Sequence, residues 1–568
     1  MSDHPGRDVR FRESGNGFGV LRGPAGTAQM DTTTDIPAPR QSPKRLPESQ
    51  RSTYQFPVYR WINWLVVAGY GVGLVLMFFV GGIVGLPAAI IWPFFVAVFC
   101  AGVALLGRPR TLLNCMMFYF LLMPGNRLFG LIPIPLPGFV DELFFLPIVA
   151  VIVMNLVQPV RAAQVKGGLW FAPLFLLVAA ISWYVNGKPS PFITARATLI
   201  MLKPFLLWYY CRLTSPFEDE KEIRFWIRFL LLYAAVQFFY NCIWQGGPWP
   251  RIHPDYSGGM FGMQSAHLIG YLSIYAIFGY VAWRFTSGAH ESRWTRIVYG
   301  LAMVIVVYDL IFMTDTKHGL VMIPFAAVPF LIHPKIPLRM RQTMWVFMGI
   351  LLILSAFYIQ MFFHGGLDRI VSSVRKQMLV NSPKADVYKA VTLDFHKLVP
   401  YPLFGAGPGR FGSQLSVDNQ TPLARRYILP IMNERRRYFM TAGKANYGGG
   451  TQLRWPQSDL LTLLGEYGWL GAGLYAVFFG WVIVQLYRKS FRVGTHNLYF
   501  GATLASAATL IFLGMLMVII TPLTWPITSY VLWAFAGRLW EYQPAPETLS
   551  APGGDSLPAP DEGPRTDA

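Results

Sequence analysis

Runs of about 20 apolar residues recur along most of this chain, and they constrain its fold more than any other feature. An α-helix of that length crosses the hydrocarbon core of a bilayer. The chain is 54% hydrophobic and only 14% charged over 568 residues, which is too apolar for a soluble protein of this length. The hydrocarbon core contains no water, so backbone N–H and C=O groups must form hydrogen bonds within the protein, as they do in a helix. The sequence therefore predicts an all-α, polytopic integral membrane helical bundle.

About 12 to 14 transmembrane helices are expected, and fourteen segments are predicted to span the membrane. Their bounds are 58–80, 84–106, 111–131, 139–157, 168–185, 192–211, 225–246, 264–284, 297–314, 319–333, 343–363, 458–487, 498–520 and 524–540. The tails, residues 1–57 and 541–568, are rich in Gly, Pro and polar residues and are predicted to be disordered. Helices 1 to 11 thus fall within 58–363, and the C-terminal helices within 457–540.

The distribution of Lys and Arg predicts the orientation, because short loops rich in these residues stay in the cytoplasm. With the N-terminus inside, every alternate short connection is basic, from Arg108 and Arg110 to Arg488 and Arg492. The sequence therefore predicts a multi-pass protein of the bacterial inner membrane with both termini in the cytoplasm.

One long connection, residues 364–456, falls on the periplasmic side and is predicted to form a large loop domain. It carries fourteen Lys or Arg residues against five Asp or Glu residues. Charge bias in a loop this long does not set orientation, so the excess needs another explanation. It indicates either a solvated or lipid-facing surface, or a site for a polyanionic substrate gripped by Arg and Lys side chains.

Within this loop lies a Gly-rich and Pro-rich segment, YPLFGAGPGRFG, at residues 401–412. Glycines allow backbone N–H groups to approach an anion closely, and Arg410 adds a bidentate donor. An ordinary Gly/Pro turn is the alternative.

The chain re-enters the membrane through QSDLLTLLGEYGWLGAGLY, residues 457–475, in which acidic groups precede or interrupt an apolar helix. Asp459 and Glu466 are candidate general bases. The structural alternatives are that Asp459 favours the positive end of its helix and that Glu466 packs among helix ends.

These two segments, in this order around the last large outer loop, resemble the O-antigen ligase and O-antigen polymerase superfamily. That family has a plfGxGpgxf segment followed by H-N-x-x-L-x-x-L-x-E-x-G-x-x-G; here Leu461, Glu466, Gly468 and Gly471 match the second stretch. The segments 256–272 and 314–320 fit more weakly. Gln457 stands where ligases have a histidine, which favours a polymerase or a divergent ligase.

The resemblance implies a metal-independent glycosyltransferase with no cofactor. It would move a glycan from an undecaprenyl-pyrophosphate carrier to an acceptor sugar at the periplasmic face, for surface polysaccharide, O-antigen or exopolysaccharide synthesis. Preorganised cations would stabilise the charge developing on the pyrophosphate, and a base would assist the acceptor hydroxyl. The candidate bases are Asp459, Glu466 and His318, and the candidate pyrophosphate-binding residues are Arg410, Lys384, Lys389, Lys317 and Arg196.

Expected partners are the lipid-linked glycan, membrane lipid, and flippase and chain-length or export proteins, with no nucleic acid. The nine histidines are scattered and no metal-ligand motif occurs, so no metal site is predicted. Lys203 and Asp309 are buried charges that form an ion pair only if their helices are neighbours.

Two other functional classes fit a polytopic bundle. A transporter or a flippase for lipid-linked oligosaccharides explains many helices with buried charges, yet the sequence shows no pair of related halves. A scaffold of a secretion complex explains the helices and tails but not the cationic and Gly-rich elements on one side.

Overall fold

The computed structural model describes residues 109–122, 127–128, 132–133, 140–156, 167–188, 190–245, 247–248, 258–261, 266–286, 291–314, 316–362, 389, 391–394, 397, 399–413, 415–416, 419, 421–428, 458–520, 522–524 and 526–542. They belong to one compact unit, Val58–Ala568. The predicted spans 58–80 and 84–106 lie outside the described residues, as do residues 1–57 and the tail beyond 542.

The described chain is helical apart from one short antiparallel strand pair, β1 (Arg127–Leu128) and β2 (Ile132–Pro133). The α-helices are α1 (Pro109–Leu122), α2 (Val140–Leu156), α3 (Phe171–Val185), α4 (Pro191–Thr214), α5 (Glu220–Gln245), α6 (Ala266–Thr286), α7 (Arg293–Tyr308), α8 (Lys317–Ala326), α9 (Val328–Ile332), α10 (Leu338–Phe362), α11 (Asp459–Ser490), α12 (Leu498–Ile519) and α13 (Pro526–Trp540). Helix α7 continues into a π-helix, Asp309–Met313.

Six helical segments are long and apolar enough to cross a membrane: Pro191–Thr214, Glu220–Ile243, His267–Thr286, Arg293–Met313, Asp459–Ser490 and Leu498–Ile519. The protein is therefore a polytopic helical membrane protein. The count of fourteen spans and the separate periplasmic loop domain stay predictions.

Two predicted spans differ from the structure. The helix expected at 111–131 ends at Leu122, and its 14 residues reach only about 21 Å at 1.5 Å per residue. Pro124 and Gly125 follow in the sequence and oppose its continuation. The span expected at 319–333 is divided at Ala327 into α8 and α9, with Pro329 in the first turn of α9.

Side-chain caps fix the start of several helices. The Ser458 hydroxyl accepts the N–H of Leu461 at the start of α11, and Asn497 caps α12 by accepting the N–H of Tyr499. Helix α12 lies at the centre of the bundle, against α6, α8, α11 and α13. Small residues allow this close packing: a Cβ at Gly501 would lie 2.7 Å from the carbonyl oxygen of Ala282 on α6.

The basic connections predicted to be cytoplasmic meet at one end of the bundle. Arg110 and Arg538 both pair with Glu222, and Arg212 pairs with Glu541. Lys489 donates to the carbonyl oxygen of Trp540, and Lys335 donates to that of Phe491. The Gly-rich segment and the start of α11 lie at the opposite ends of the helices. The basic connections that alternate along the sequence therefore share one side of the bundle, while the direction of the bundle across a membrane stays a prediction.

Candidate functional site

Helix α11 is broken at Gly468, where the backbone has φ 69° and ψ −170°. The break separates a short buried segment, 459–467, from the longer helical segment 469–490. A Cβ at this position would lie 2.3 Å from the carbonyl oxygen of Leu403 and 2.4 Å from the nitrogen of Gly405. Both the left-handed φ and this close approach require glycine.

The Gly-rich segment occupies the break and pairs with the backbone groups that the broken helix leaves free. Ala406 N–H donates to the carbonyl of Gly465 at 2.8 Å, and Gly407 N–H donates to that of Glu466 at 3.1 Å. In return, Leu470 N–H donates to the carbonyl of Leu403 at 3.1 Å. The two motifs singled out from the sequence therefore form one hydrogen-bonded unit, and the break leaves these groups satisfied.

The side chain of Glu466 completes this unit. Its Oε2 accepts the N–H of Gly409 at 2.6 Å, and its Oε1 accepts those of Phe411, Gly412 and Ser413 at 3.2, 3.0 and 2.8 Å. Glu466 is fully buried. The backbone donors that the sequence suggested for a substrate anion thus hold an anion that belongs to the protein itself.

The end of α3 fixes the other side of the Gly-rich segment. Ser182 donates its hydroxyl to the carbonyl of Glu466 at 3.1 Å, and the Asn186 amide donates to that of Gly405 at 2.9 Å. The guanidinium of Arg410 in turn donates to the carbonyl of Asn186. A Cβ at Gly409 would lie 2.5 Å from Ile193 Cγ2, so this turn also rests on α4.

Arg410 is half-buried at this junction, and burial lowers the pKa of its guanidinium. Within the described part of the chain no carboxylate pairs with it. An Arg side chain in this position has donors left for an added anion. Guanidinium N–H groups are donors that can bind phosphate oxygens.

Asp459 lies at the first position of α11 and is fully buried. Its Oδ2 accepts the N–H of Leu523 at 2.7 Å, whereas its Oδ1 has no hydrogen-bond partner among the described residues. The two candidate carboxylates therefore differ: Glu466 has both oxygens hydrogen-bonded, and Asp459 has one oxygen free.

The remaining predicted site residues are placed less closely. Lys389 is exposed, and Arg196 is half-buried on α4, one residue from Ala197, which packs near Gly409. Lys317 and His318 begin α8, but their side chains lie outside the described part of the structure, as does all of Lys384. Their roles stay predictions.

The conditional ion pair between Lys203 and Asp309 is absent. Lys203 lies over the ring of Phe145, 5.6 Å from its centroid. Asp309 instead accepts a hydrogen bond from Asn241 at 2.7 Å. Lys203 thus contacts α2, whereas Asp309 contacts α5. The spacing of residues in the sequence does not predict which helices become neighbours.

A second polar cluster, which the sequence does not predict, connects Asp309 through Asn241 to the turn at 258–261. Gln237 and Asn241 are buried one turn apart on α5, and they accept the backbone N–H groups of Met260 and Gly259 at 2.9 and 2.7 Å. Two amides at i and i+4 in an apolar helix were the available signal.

Comparison with known proteins adds no assignment to these sites. Among the described residues, no group of three or more His, Cys, Asp or Glu side chains is placed to hold a metal ion. No family model matches this chain, and no curated protein matches it at a significant level.

Proposed function

We propose that this protein is a membrane glycosyltransferase that polymerises or ligates oligosaccharides carried on undecaprenyl pyrophosphate, at the periplasmic face of the inner membrane. The observation that carries the proposal is the unit formed by residues 401–413 and 458–470, held together by Glu466. The two segments on which the resemblance to O-antigen ligases and polymerases rests are in direct contact, so they act as one element.

In the proposed reaction the acceptor hydroxyl oxygen attacks the anomeric carbon of the carried glycan, and the bond from that carbon to the pyrophosphate breaks. The hydroxyl proton passes to a base, and the pyrophosphate leaves with the carrier lipid. Arg410 stabilises the charge that grows on the leaving group. Lys384, Lys389, Lys317 and Arg196 supply further positive charge.

The hydrogen bonds divide the roles of the candidate bases. All the oxygen atoms of Glu466 already accept backbone N–H groups, so we assign Glu466 to holding the loop. Asp459 keeps a free oxygen and, with His318, remains a candidate for the base. Membrane lipid and the flippase and chain-length or export proteins are the proposed partners.

The broken helix also bears on the alternative, a transporter or flippase. Transporters use interrupted helices whose unpaired backbone groups coordinate the substrate. Here the free groups at Gly465, Glu466 and Leu470 pair with the chain's own loop. This favours a rigid site for chemistry over an ion-coordinating break.

The orientation can be tested by single cysteines in a background without native cysteines. Arg425 and Arg339 are both exposed and lie on the loop side and on the basic side of the bundle. An impermeant thiol reagent should label Arg425→Cys in intact spheroplasts and label Arg339→Cys only after permeabilisation. The reverse pattern would contradict a periplasmic site.

Purified protein in detergent micelles tests the activity. A transporter moves its substrate between two compartments and makes no new glycan in micelles. A transferase should instead convert polyprenyl-pyrophosphate-linked oligosaccharide to a longer or ligated glycan. Release of the free carrier should equal the number of linkages formed, with chelator present. Transport of the lipid-linked glycan in vesicles without any such product in micelles would support the alternative.

A further inference from the structure

The carboxyl of Asp309 is buried and has no role in the proposed glycosyl transfer. Asp309 has no exposed surface and begins the π-helix Asp309–Met313, which interrupts the regular turn of α7. Single π turns occur often at functional sites. Its Oδ1 accepts from Asn241, and within the described part of the chain its Oδ2 has no hydrogen-bond partner.

The orientation of the neighbouring amide is fixed by a further contact. Because Asn241 Oδ1 accepts the N–H of Gly259, its Nδ2 must face Asp309. Gln237 similarly presents its oxygen to the N–H of Met260. A Cβ at Gly259, whose φ is 51°, would lie 2.4 Å from Gln237 Oε1 and 2.5 Å from Ile269 Cδ1, so the turn at 258–261 packs tightly against α5 and α6.

Among the described residues, no positively charged side chain forms an ion pair with Asp309. The neighbouring titratable groups are Cys242 and Tyr308, while the ends of the packed helices α6 and α10 carry His267, Arg284, Arg339 and Arg341. Asp459 lies at the positive N-terminal end of α11, whereas Asp309 follows the C-terminal end of α7, where the helix dipole also disfavours a negative charge. An ionised carboxylate with a single neutral hydrogen bond is strongly disfavoured there.

We infer that Asp309 is a proton-binding site: its Oδ2 carries a proton in the resting protein, and this neutral carboxyl holds the 258–261 turn through Asn241. A proton fits better than a metal ion, because the side chain that contacts Asp309 among the described residues, Asn241, does so through an N–H donor, which cannot coordinate a cation. Loss of the proton would place a bare negative charge behind the turn. Protonation is thereby coupled to the docking of residues 258–261.

Infrared difference spectroscopy of the purified full chain at neutral pH provides the test. Asp309→Asn retains the donor and acceptor pattern of a carboxylic acid, so it should fold normally and lose one carboxylic-acid C=O band. Asp394→Asn, which removes an exposed carboxylate paired with Lys397 at 3.0 Å, should leave that region of the spectrum unchanged.

Thermal unfolding at rising pH gives a second readout. Measured against Asp309→Asn, the midpoint of the wild type should fall as the pH rises above about 4, where an aspartate of the unfolded chain ionises, and should stop falling once folded Asp309 has lost its proton. An unchanged acid band in Asp309→Asn would overturn the proposal. So would an acid band in the wild type that appears only when Na⁺ is replaced by choline, since a bound cation would then be the occupant.

Discussion

The Glu466 carboxylate oxygen and the backbone nitrogen of Gly409 lie 2.6 Å apart, although 57 residues separate them in the sequence. Three more N–H groups of the same turn donate to this carboxylate. The charge of Glu466 and the conformation of the Gly-rich turn therefore depend on each other. A site built on this turn needs an intact Glu466 even if that side chain never contacts substrate.

Replacing Glu466 by alanine should destabilise the protein markedly. Four buried N–H donors would lose their acceptor, and each such group costs about 1–3 kcal/mol, though not additively. We expect the free energy of unfolding to fall by about 3–5 kcal/mol. Thermal unfolding in detergent measures this, with Glu218→Gln as the control because Glu218 is mostly exposed. Equal midpoints for Glu466→Ala and wild type would show that Glu466 does not hold the Gly-rich turn in place.

Gly468 and Gly473 provide a matched pair on α11. Gly468→Ala meets both a positive φ and the Leu403 carbonyl, so it should lower the free energy of unfolding by about 2–4 kcal/mol. A Cβ at Gly473 contacts nothing within 4 Å, and Gly473→Ala should stabilise the helix by up to about 1 kcal/mol. Similar unfolding midpoints for the two variants would show that the break is not required.

The extent of sequence-based prediction can be judged from particular elements. Apolar length located α12 almost to the residue, 498–520 against Leu498–Ile519, because a central membrane helix is apolar throughout. The same criterion extended α1 past Leu122, since it weighed hydropathy and ignored Pro124 and Gly125.

The site was predictable in its parts and not in its contacts. Glycine spacing predicts that residues 401–412 present N–H groups to a substrate anion, which stays a prediction; in the structure the N–H groups of Gly409, Phe411 and Gly412 donate to the Glu466 carboxylate. Backbone donors have no sequence signature that identifies their acceptor. The sequence identifies Asp309 as a buried charge, but its partner Asn241 lies 68 positions away on another helix.

His333 should make stability depend on pH. Burial, with Lys335 and Arg341 nearby, lowers its pKa to about 4. Its Nδ1 accepts the N–H of Lys335 at 3.3 Å, which leaves the proton on Nε2, 2.9 Å from the Ser490 hydroxyl. The folded chain therefore resists the second proton that the unfolded chain accepts near pH 6.5.

Between pH 6.5 and about 4 the unfolded state binds more protons at His333 than the folded state does. The contribution of His333 should therefore lower the free energy of unfolding, by about 1–3 kcal/mol, as the pH is lowered through this range. Unfolding midpoints across this range measure the slope. His333→Asn should flatten it, and His496→Asn, at an exposed position, should retain it. A His333→Asn slope equal to that of the wild type would assign the pH dependence to other groups.

The rate of glycan transfer by Arg410 variants, normalised to folded protein, tests the central proposal most directly. Arg410 is half-buried beside the Gly-rich turn that Glu466 holds, and it uses one N–H group to donate to the Asn186 carbonyl, which leaves other N–H groups for an anion. Arg425, in contrast, is exposed. With purified protein and polyprenyl-pyrophosphate-linked oligosaccharide, Arg410→Ala should lower kcat/KM by about a hundredfold or more, with Arg410→Lys intermediate. Arg425→Ala should stay within about twofold of the wild type, since solvated charges contribute little. Transfer by Arg410→Ala at the wild-type rate, or no transfer by the wild type itself, would contradict the account.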